Sequence, residues 1–128
     1  MKKISIVTPT FNEEENIERL CQEIKIEAKS LNYDYEHIVI DNCSTDKTID
    51  KLREISSKDK NVKVIINSRN YGHLKSPFYG ILQAEGDACI LMVSDFQEPI
   101  NLISQYLKKW ENGAKIVLGE KDVSEENN

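Results

Sequence analysis

Short apolar runs alternate with longer amphipathic segments along this chain. The runs are rich in valine and isoleucine, which is typical of buried strands, and polar or turn-forming residues bound them. The segments between them carry apolar residues at the spacing of an amphipathic helix. The pattern predicts a helix after each of the first four strands. The predicted strands are residues 4–7, 35–40, 62–66, 88–93 and 116–118.

Polar residues mark where the first two helices are expected to begin. Asn12 is predicted to be the N-cap of the first helix, in a capping box with Glu15. Three successive glutamates would then occupy a first turn, where the helix dipole favours anions. Ser44, Thr45 and Asp46 are the N-cap candidates of the second helix.

Proline and glycine mark the ends of the other two helices. Ser76 as N-cap and Pro77 as the first helical residue predict the start of the third helix, and Gly86 its end. Pro99 predicts the start of the fourth helix and Gly113 its end.

The alternation of strands and helices predicts an α/β fold. Its expected form is a three-layer αβα arrangement around a mostly parallel, Rossmann-like sheet, because parallel strands need helical crossovers that cover both faces. The run 88–93 is apolar throughout and is expected to be a central strand. At 128 residues, the chain is long enough for one domain. We expect that domain over residues 1–121 and a polar, disordered tail over 122–128.

Composition excludes several classes of protein. The net charge of −5 and the lack of a basic block argue against a nucleic-acid partner. The longest apolar run is far shorter than the roughly 20 residues of a membrane-spanning helix. Cys21, Cys43 and Cys89 form no C-x-x-C pair, so neither a zinc site nor a disulfide framework is indicated and a reducing cytoplasm is expected.

Candidate chemistry follows the predicted strands. Ligands of such sheets bind beyond the carboxyl ends of the strands, where the strand order reverses. The chain has neither the G-x-G-x-x-G of dinucleotide folds nor the glycine-lysine motif of phosphate-binding loops. Acidic residues can instead hold a ribose by its hydroxyls, or a divalent metal that neutralises a diphosphate. The segments that follow the strands are 8–13, 41–46, 68–73 and 94–99.

Those four segments, in that order, carry a resemblance to a known family. From residue 4 to about residue 121, the chain resembles a family 2 glycosyltransferase with the GT-A fold, most closely the polyprenyl-phosphate branch. The resemblance implies that residues 1–121 bind a nucleotide-diphosphate sugar, linked to UDP or GDP. It further implies that Pro9, Phe11 and Glu13 line the pocket for the base and ribose, and that Asp41 binds the uracil or ribose.

The resemblance also implies a divalent metal, Mg²⁺ or Mn²⁺. Asp95 matches the last acid of the family's D-x-D metal motif, and Gln97 would lie beside the diphosphate. Arg69 would contact a phosphate or the acceptor. Two positions depart from the pattern: Val93 replaces the first acid of D-x-D, and Asn42 replaces a second acid after the second strand.

Length is the larger departure. Catalytic domains of this family are about twice this size, beyond the usual single-domain mode. We therefore expect the donor-binding half of a longer cytoplasmic enzyme, at the cytoplasmic face of a membrane where the parent protein has membrane helices. The acceptor would be a lipid phosphate or a saccharide, and no catalytic base is nominated. A half-domain would expose the surface that faces its partner half, which favours self-association.

Simpler interpretations stand beside these. Asp41 and Asp95 could cap the helices that follow them, and Phe11 could be a hydrophobic staple. Glu13 could serve only the helix dipole, and Arg69 could be a solvated loop charge.

The alternative functions are a non-catalytic nucleotide-binding module and a receiver-like signalling domain. A receiver needs an aspartate after the third strand, where this chain has Asn67, Ser68 and Arg69. His37 is expected to be structural, and Cys21 and Cys89 to be small core residues.

Overall fold

The computed structural model describes residues 2–92 and 102–111, which form four strands and four helices. In chain order these are β1 (Lys3–Thr10), α1 (Ile17–Ser30), β2 (Asp34–Asp41), α2 (Thr48–Lys58), β3 (Val62–Ile66), α3 (Gly72–Gln83), β4 (Ala88–Leu91) and α4 (Leu102–Glu111).

The four strands form one parallel sheet in the order β3-β2-β1-β4. β1 and β2 pair along their whole lengths, so that Thr10 lies beside Asp41 at their carboxyl ends. The predicted α/β class is therefore confirmed. β4 pairs with β1, while the predicted fifth strand (116–118) and tail (122–128) lie outside the described residues.

Side chains alternate between two apolar layers, one on each face of the sheet. The larger layer packs β1 residues such as Ile4 and Ile6 against α1, α2 and α4. The smaller layer contains Val7 and Ile40, beneath α3. Gly80 lets α3 approach closely, because a Cβ there would lie 2.3 Å from Ile40 Cδ1. Helices therefore cover both faces, as the three-layer prediction required.

Two predicted helix starts are wrong. α1 begins at Ile17 and not directly after Asn12, which adopts the left-handed conformation (φ 52°) and leaves Glu15 outside the helix. α2 begins at Thr48 with Lys47 at the cap position; of the three candidates, only Asp46 contacts it, accepting the Thr48 N–H at 2.9 Å.

The predicted bounds of the third helix are also wrong. α3 begins at Gly72, four residues before Ser76, because tertiary contacts of the preceding loop set its start. It ends at Gln83, and Gly86 serves a close approach rather than a helix end: a Cβ there would lie 2.6 Å from Ser5 Oγ. Pro99 and Gly113 lie outside the described residues.

Buried polar residues inside the sheet are structural, as expected for His37. Its Nε2 lies 2.8 Å from Thr8 Oγ1. Desolvation lowers the His37 pKa to about 4, although the negative charge of Asp59 acts in the opposite direction. The ring is therefore neutral at neutral pH. Cys21 is buried, and desolvation raises its pKa to about 12. Within the described residues, no helix is long and apolar enough to cross a membrane.

Candidate functional site

The strand order places the expected ligand crevice beside β1. The chain moves outward from β1 through β2 to β3, and then returns to the other side of β1 to form β4. Ligands of parallel α/β sheets bind where the strand order reverses in this way, so the expected crevice lies beyond the carboxyl end of β1. The segments after β1, β2 and β3 are described, whereas Val93, Asp95 and Gln97 lie outside the described residues.

Asn12 ties the segment after β1 to the segment after β2. Its backbone N–H donates to Ser44 Oγ at 2.9 Å. Its side-chain oxygen accepts from the backbone N–H groups of Thr45 at 2.8 Å and Asp46 at 3.3 Å. Asparagine tolerates the left-handed conformation that these contacts require. This side chain therefore bridges two loops instead of capping α1.

Glu13 is anchored by the start of α2. Its backbone N–H donates to Thr48 Oγ1 at 2.9 Å, and its carboxylate accepts from Asn16 Nδ2 at 3.2 Å. Its backbone oxygen accepts from the N–H groups of Asn16 and Ile17, at the start of α1. Glu13 thus lies at the crevice rim before the helix, so the simple role in a helix first turn does not apply.

Asp46 holds the start of α2 in place. Its Oδ1 accepts from the N–H and the hydroxyl of Thr48, and its Oδ2 from the Glu14 N–H at 3.3 Å. Desolvation raises its pKa, but the hydrogen bonds from Thr48 and the backbone outweigh this and hold the pKa below its usual value. Asp46 is therefore a charged anchor between the two loops.

Asp41 closes the turn after β2. It is fully buried; its Oδ2 accepts from the Ser44 N–H at 2.8 Å and its Oδ1 from the Ser44 hydroxyl at 2.5 Å. It does not cap α2, which begins seven residues later in the sequence. Its neighbour in the sheet, Thr10, has a buried hydroxyl with no partner among the described residues. No sequence pattern indicated that the Thr10 hydroxyl, called the spare hydroxyl below, would be buried without a partner.

Asn42 ties the end of β2 to the loop between β3 and α3. Its amide nitrogen donates to Asn70 Oδ1 at 2.7 Å and to the Gly72 carbonyl at 3.2 Å. Its amide oxygen accepts from the Tyr71 N–H at 2.8 Å and from Asn67 Nδ2 at 3.2 Å. One almost fully buried side chain thus makes four contacts with this loop. Sequence comparison with the family flagged Asn42 only as a missing acid.

The same loop presents Arg69 and Tyr71 at the surface. The Arg69 guanidinium lies 4.8 Å from the Tyr71 ring centre, a cation–π contact. Hydrogen bonding by Ser68 and Arg69 lowers the Tyr71 pKa. Beside them is an open cleft of about 500 Å³. Its lining residues are Ile65, Ile66, Asn67, Ser68, Tyr71, Lys75 and Tyr79.

Pro9 and Phe11 flank the end of β1. Pro9 pairs in register with Ile40 and is partly exposed. The Phe11 ring is 45% exposed. The staple interpretation required α1 to begin at Asn12, and α1 begins at Ile17. Phe11 is therefore available as an aromatic surface at the crevice.

The metal prediction is not tested by the described residues. Across 2–92 and 102–111, no cluster of three or more histidine, cysteine, aspartate or glutamate side chains is placed to hold a metal ion. The predicted ligand, Asp95, lies outside these ranges.

Comparison with known proteins identifies the family. The family model described as Glycosyl transferase family 2 matches residues 5–128. The chain belongs to glycosyl transferase family 2. This excludes the receiver-like alternative, and the strand order agrees, because receivers follow the flavodoxin-like order 2-1-3-4-5 and this sheet has β3-β2-β1-β4.

Individual relatives agree with this assignment. The dolichol-phosphate mannosyltransferase of Pyrococcus furiosus is 36% identical over 121 residues, which cover 94% of this chain and 34% of that enzyme. TarS of S. aureus, solved in complex with UDP-GlcNAc, has a TM-score of 0.62 at 27% identity, covering 84% of this chain and 31% of TarS.

A more distant structure shows the fold alone. The mannosyltransferase of Pyrobaculum calidifontis, solved with GDP-Man and Mn²⁺, has a TM-score of 0.70 at 19% identity. The match covers 84% of the present chain and 32% of the Pyrobaculum mannosyltransferase. The chain thus spans about a third of the length of the relatives that it matches.

Proposed function

We propose that this chain is the donor-binding part of a glycosyltransferase that uses a nucleotide-diphosphate sugar. The observation that carries the proposal is the linked set of loops at the carboxyl ends of β1, β2 and β3, where Asn12 and Asn42 join one loop to the next. The relatives support the substrate class, since one is a dolichol-phosphate mannosyltransferase and another was solved with UDP-GlcNAc. The proposed acceptor is a polyprenyl phosphate or a saccharide.

The proposed donor pose follows the positions of the rim residues. The base and ribose would lie against Pro9, Phe11 and Glu13, with Asp41 and the spare Thr10 hydroxyl at the end of the adjoining strands. The diphosphate would extend towards the loop that carries Arg69, whose cationic fork suits phosphate oxygens. Gln97 would lie beside it.

The proposed reaction is a displacement at the anomeric carbon. An acceptor oxygen forms the new bond while the bond to the diphosphate oxygen breaks, and the diphosphate leaves with the electron pair. Arg69 would offset the charge that develops on it. A phosphate acceptor is already anionic at neutral pH, so it needs no protein base. The catalytic base for a saccharide acceptor stays unassigned.

A divalent metal would supply further charge neutralisation. The resemblance assigns Mg²⁺ or Mn²⁺ to Asp95, where it would stabilise the leaving diphosphate as a Lewis acid. The described residues contain no group of three or more histidine, cysteine, aspartate or glutamate side chains that could hold a metal ion. The metal therefore remains a prediction, and so does the place of the parent enzyme in cell-envelope synthesis at a cytoplasmic membrane face.

A non-catalytic nucleotide-binding module is the second candidate. The chain matches 34% of the length of the Pyrococcus enzyme, and no catalytic base is assigned among its described residues. Both candidates predict nucleotide binding, and they differ in sugar transfer.

Calorimetric titration of the 128-residue chain with UDP and with GDP, each with and without Mn²⁺, tests the shared prediction. We expect Asp41→Asn to weaken binding about tenfold, since it removes charge from the base and ribose pocket. Asp34→Asn is the matched control, because Asp34 begins the same strand at the opposite edge of the sheet.

Each outcome decides a different point. Loss of affinity in Asp41→Asn alone supports the assigned crevice, and equal loss in both variants contradicts it. A Mn²⁺ requirement that disappears in Asp95→Ala supports the metal assignment. Absence of binding by the unaltered chain would overturn the proposed function. Sugar transfer to a polyprenyl phosphate by the chain alone would exclude the non-catalytic alternative.

A further inference from the structure

Asn42 uses its amide in a way that a carboxylate could not reproduce. Two of its four contacts are donated, to Asn70 Oδ1 at 2.7 Å and to the Gly72 carbonyl at 3.2 Å. A carboxylate only accepts hydrogen bonds and would face both of these oxygens with a negative charge. The amide therefore satisfies the loop, and an aspartate at this position would repel it.

The contacts of Asn42 extend to the start of α3. Asn70 Oδ1, which accepts from Asn42, also accepts from the Gly72 N–H at 2.7 Å. Gly72 is the first residue of α3, and its φ of 84° is a conformation that glycine adopts without strain. The backbone N–H of Asn42 in turn donates to the Thr10 carbonyl at 2.9 Å. The end of β1, the end of β2 and the start of α3 are thus joined through one residue.

Arg69 lies within the loop that Asn42 holds. It is flanked by Asn67 and Asn70, both of which contact the Asn42 side chain, and it stacks on Tyr71, whose N–H also donates to Asn42. Arg69 itself is exposed, and the hydrogen bonds of the Asn42 side chain go to its neighbours and not to it, so any influence of Asn42 on Arg69 acts through the loop backbone.

We infer that Asn42 is a positioning residue of the donor site, which holds the loop between β3 and α3 so that Arg69 faces the diphosphate of the donor. This inference rests on the proposed function. The inference also explains why an amide suits this position, where the family pattern has an acid: the two hydrogen bonds that Asn42 donates order the loop.

Two variants of Asn42 separate geometry from charge. Asn42→Ala removes the contacts without adding charge, and Asn42→Asp keeps the shape but loses both donors. We expect each to weaken UDP binding by about fivefold to tenfold, since a few ordinary hydrogen bonds are lost. Asn32→Asp is the control for added charge: Asn32 lies in the turn before β2, at the opposite edge of the sheet. Loss of affinity in Asn42→Asp but not in Asn42→Ala would overturn the inference in favour of charge alone.

A double-mutant cycle tests whether Asn42 acts through Arg69. We expect Arg69→Ala to weaken UDP binding about tenfold in the unaltered chain and less than about twofold in the Asn42→Ala background, because the arginine is then no longer held in place. Equal effects of Arg69→Ala in both backgrounds would overturn the inference, since a merely structural Asn42 leaves the arginine contribution unchanged.

Amide hydrogen exchange without nucleotide separates this inference from the proposed function. We expect the Tyr71 and Gly72 N–H groups to exchange at least about tenfold faster in Asn42→Ala. The Tyr71 N–H loses its acceptor, the Asn42 amide oxygen, and Asn70 Oδ1, which accepts from the Gly72 N–H, loses the Asn42 amide that holds it. Unchanged exchange would overturn the inference even where UDP binds. Faster exchange in a chain that binds no nucleotide would instead show that the loop is held as argued and that the proposed function is wrong.

Discussion

The two ends of the sheet both bury polar side chains, and they use them differently. Near the amino ends, the Glu36 carboxylate accepts from Ser5 Oγ at 2.5 Å, from the Glu85 N–H at 2.6 Å and from Lys63 Nζ at 2.6 Å. Ser5 Oγ also accepts from the Gly86 N–H at 2.8 Å. Each of these groups of the amino-end cluster is matched within the protein, although two other buried polar atoms of β2, the Tyr35 hydroxyl oxygen and His37 Nδ1, have no hydrogen-bond partner among the described residues.

At the carboxyl ends, the polar groups are only partly matched. Asn12 and Asn42 connect the loops, but the buried Thr10 hydroxyl has no partner among the described residues. Phe11 and Tyr71 expose 45% and 40% of their surfaces. The amino-end cluster therefore serves stability, whereas the exposed aromatic rings and linked loops of the carboxyl-end rim fit the proposed nucleotide site. Changes at the amino end should move stability alone, and changes at the carboxyl end should also move nucleotide affinity.

Removing the Glu36 carboxylate should have the largest effect on stability. Glu36→Ala would leave Ser5, the Glu85 N–H and Lys63 without their acceptor. We expect the free energy of unfolding to fall by about 4 kcal/mol, mainly because the Ser5 hydroxyl and the Glu85 N–H lose their acceptor, since the Lys63 amine is half-exposed and can be solvated. Urea denaturation measures this, and UDP affinity of the folded fraction should not change.

Glu85→Gln is the matched control for that experiment. Its carboxylate lies 3.8 Å from the same Lys63 amine but is largely exposed, so we expect a change within about 0.5 kcal/mol. A loss as large as that of Glu36→Ala would mean that the amino-end cluster depends on net charge rather than on buried hydrogen bonds.

His37 should make stability depend on pH. Desolvation lowers its folded pKa from 6.5 to about 4, so the unfolded chain binds the additional proton between these values. Stability from the neutral ring is complete above pH 6.5 and is lost as the pH falls towards 4. The free energy of unfolding should therefore fall by about 3 kcal/mol over this pH range. Between pH 7 and 4, the unfolding free energy of the unaltered chain should fall by this amount, and His37→Gln should lack this part of the fall.

Glu36 should act in a lower pH range than His37. Desolvation raises its pKa, but hydrogen bonds from Lys63 and Ser5 outweigh this and lower the pKa from 4.5 to about 2. Its contribution to the free energy of unfolding is therefore complete above pH 4.5 and disappears as the pH falls through 2.

The His37 prediction has a clear contradicting outcome. If His37→Gln left the pH dependence of the unfolding free energy between pH 6.5 and 4 unchanged, the histidine would not be the group that titrates there.

The order of elements, and the edge of the sheet at which the segments after the strands meet, could be predicted from the sequence. Strand periodicity placed β3 at 62–66, as observed, and the alternation of elements gave the parallel sheet. Topology then placed Asp41 and the segments after the strands at one edge of the sheet. These features follow from local periodicity and from chain connectivity, both of which the sequence contains directly.

The use of individual side chains could not be predicted in the same way. Asn12 has the properties of an N-cap, yet its side chain bonds to Thr45 and Asp46, more than 30 residues away. Ser76 and Pro77 suggested a helix start, but the contacts of Asn42 allow α3 to begin at Gly72. Such contacts between distant segments override local preference, and no local pattern indicates them.

Asn12→Gly should show that this residue belongs to the carboxyl-end rim. Glycine permits the same positive φ but lacks the side-chain bonds to Thr45 and Asp46. We expect a loss of about 1.5 kcal/mol in unfolding free energy and weaker UDP binding. Asn32→Gly is the control, because Asn32 also has a positive φ (59°) but its side chain forms no hydrogen bond with the described residues, so its change should stay near zero. Equal losses in both variants would assign the effect to the backbone.

The smallest expected effect distinguishes two threonines on one face of β1. Thr8 Oγ1 lies 2.8 Å from His37 Nε2, whereas Thr10 Oγ1 has no hydrogen-bond partner within 2–92 and 102–111. Valine has nearly the same shape as threonine, so Thr8→Val should cost about 1 kcal/mol of unfolding free energy, and Thr10→Val should cost nothing or stabilise slightly. If the spare hydroxyl is kept for a ligand, only Thr10→Val should weaken UDP binding, by about threefold to fivefold. Calorimetry and urea denaturation of the two variants measure both quantities. Equal affinity for UDP in Thr10→Val and the unaltered chain would mean that the Thr10 hydroxyl does not serve the nucleotide, and the contrast between the two ends of the sheet would then depend on the linked loops alone.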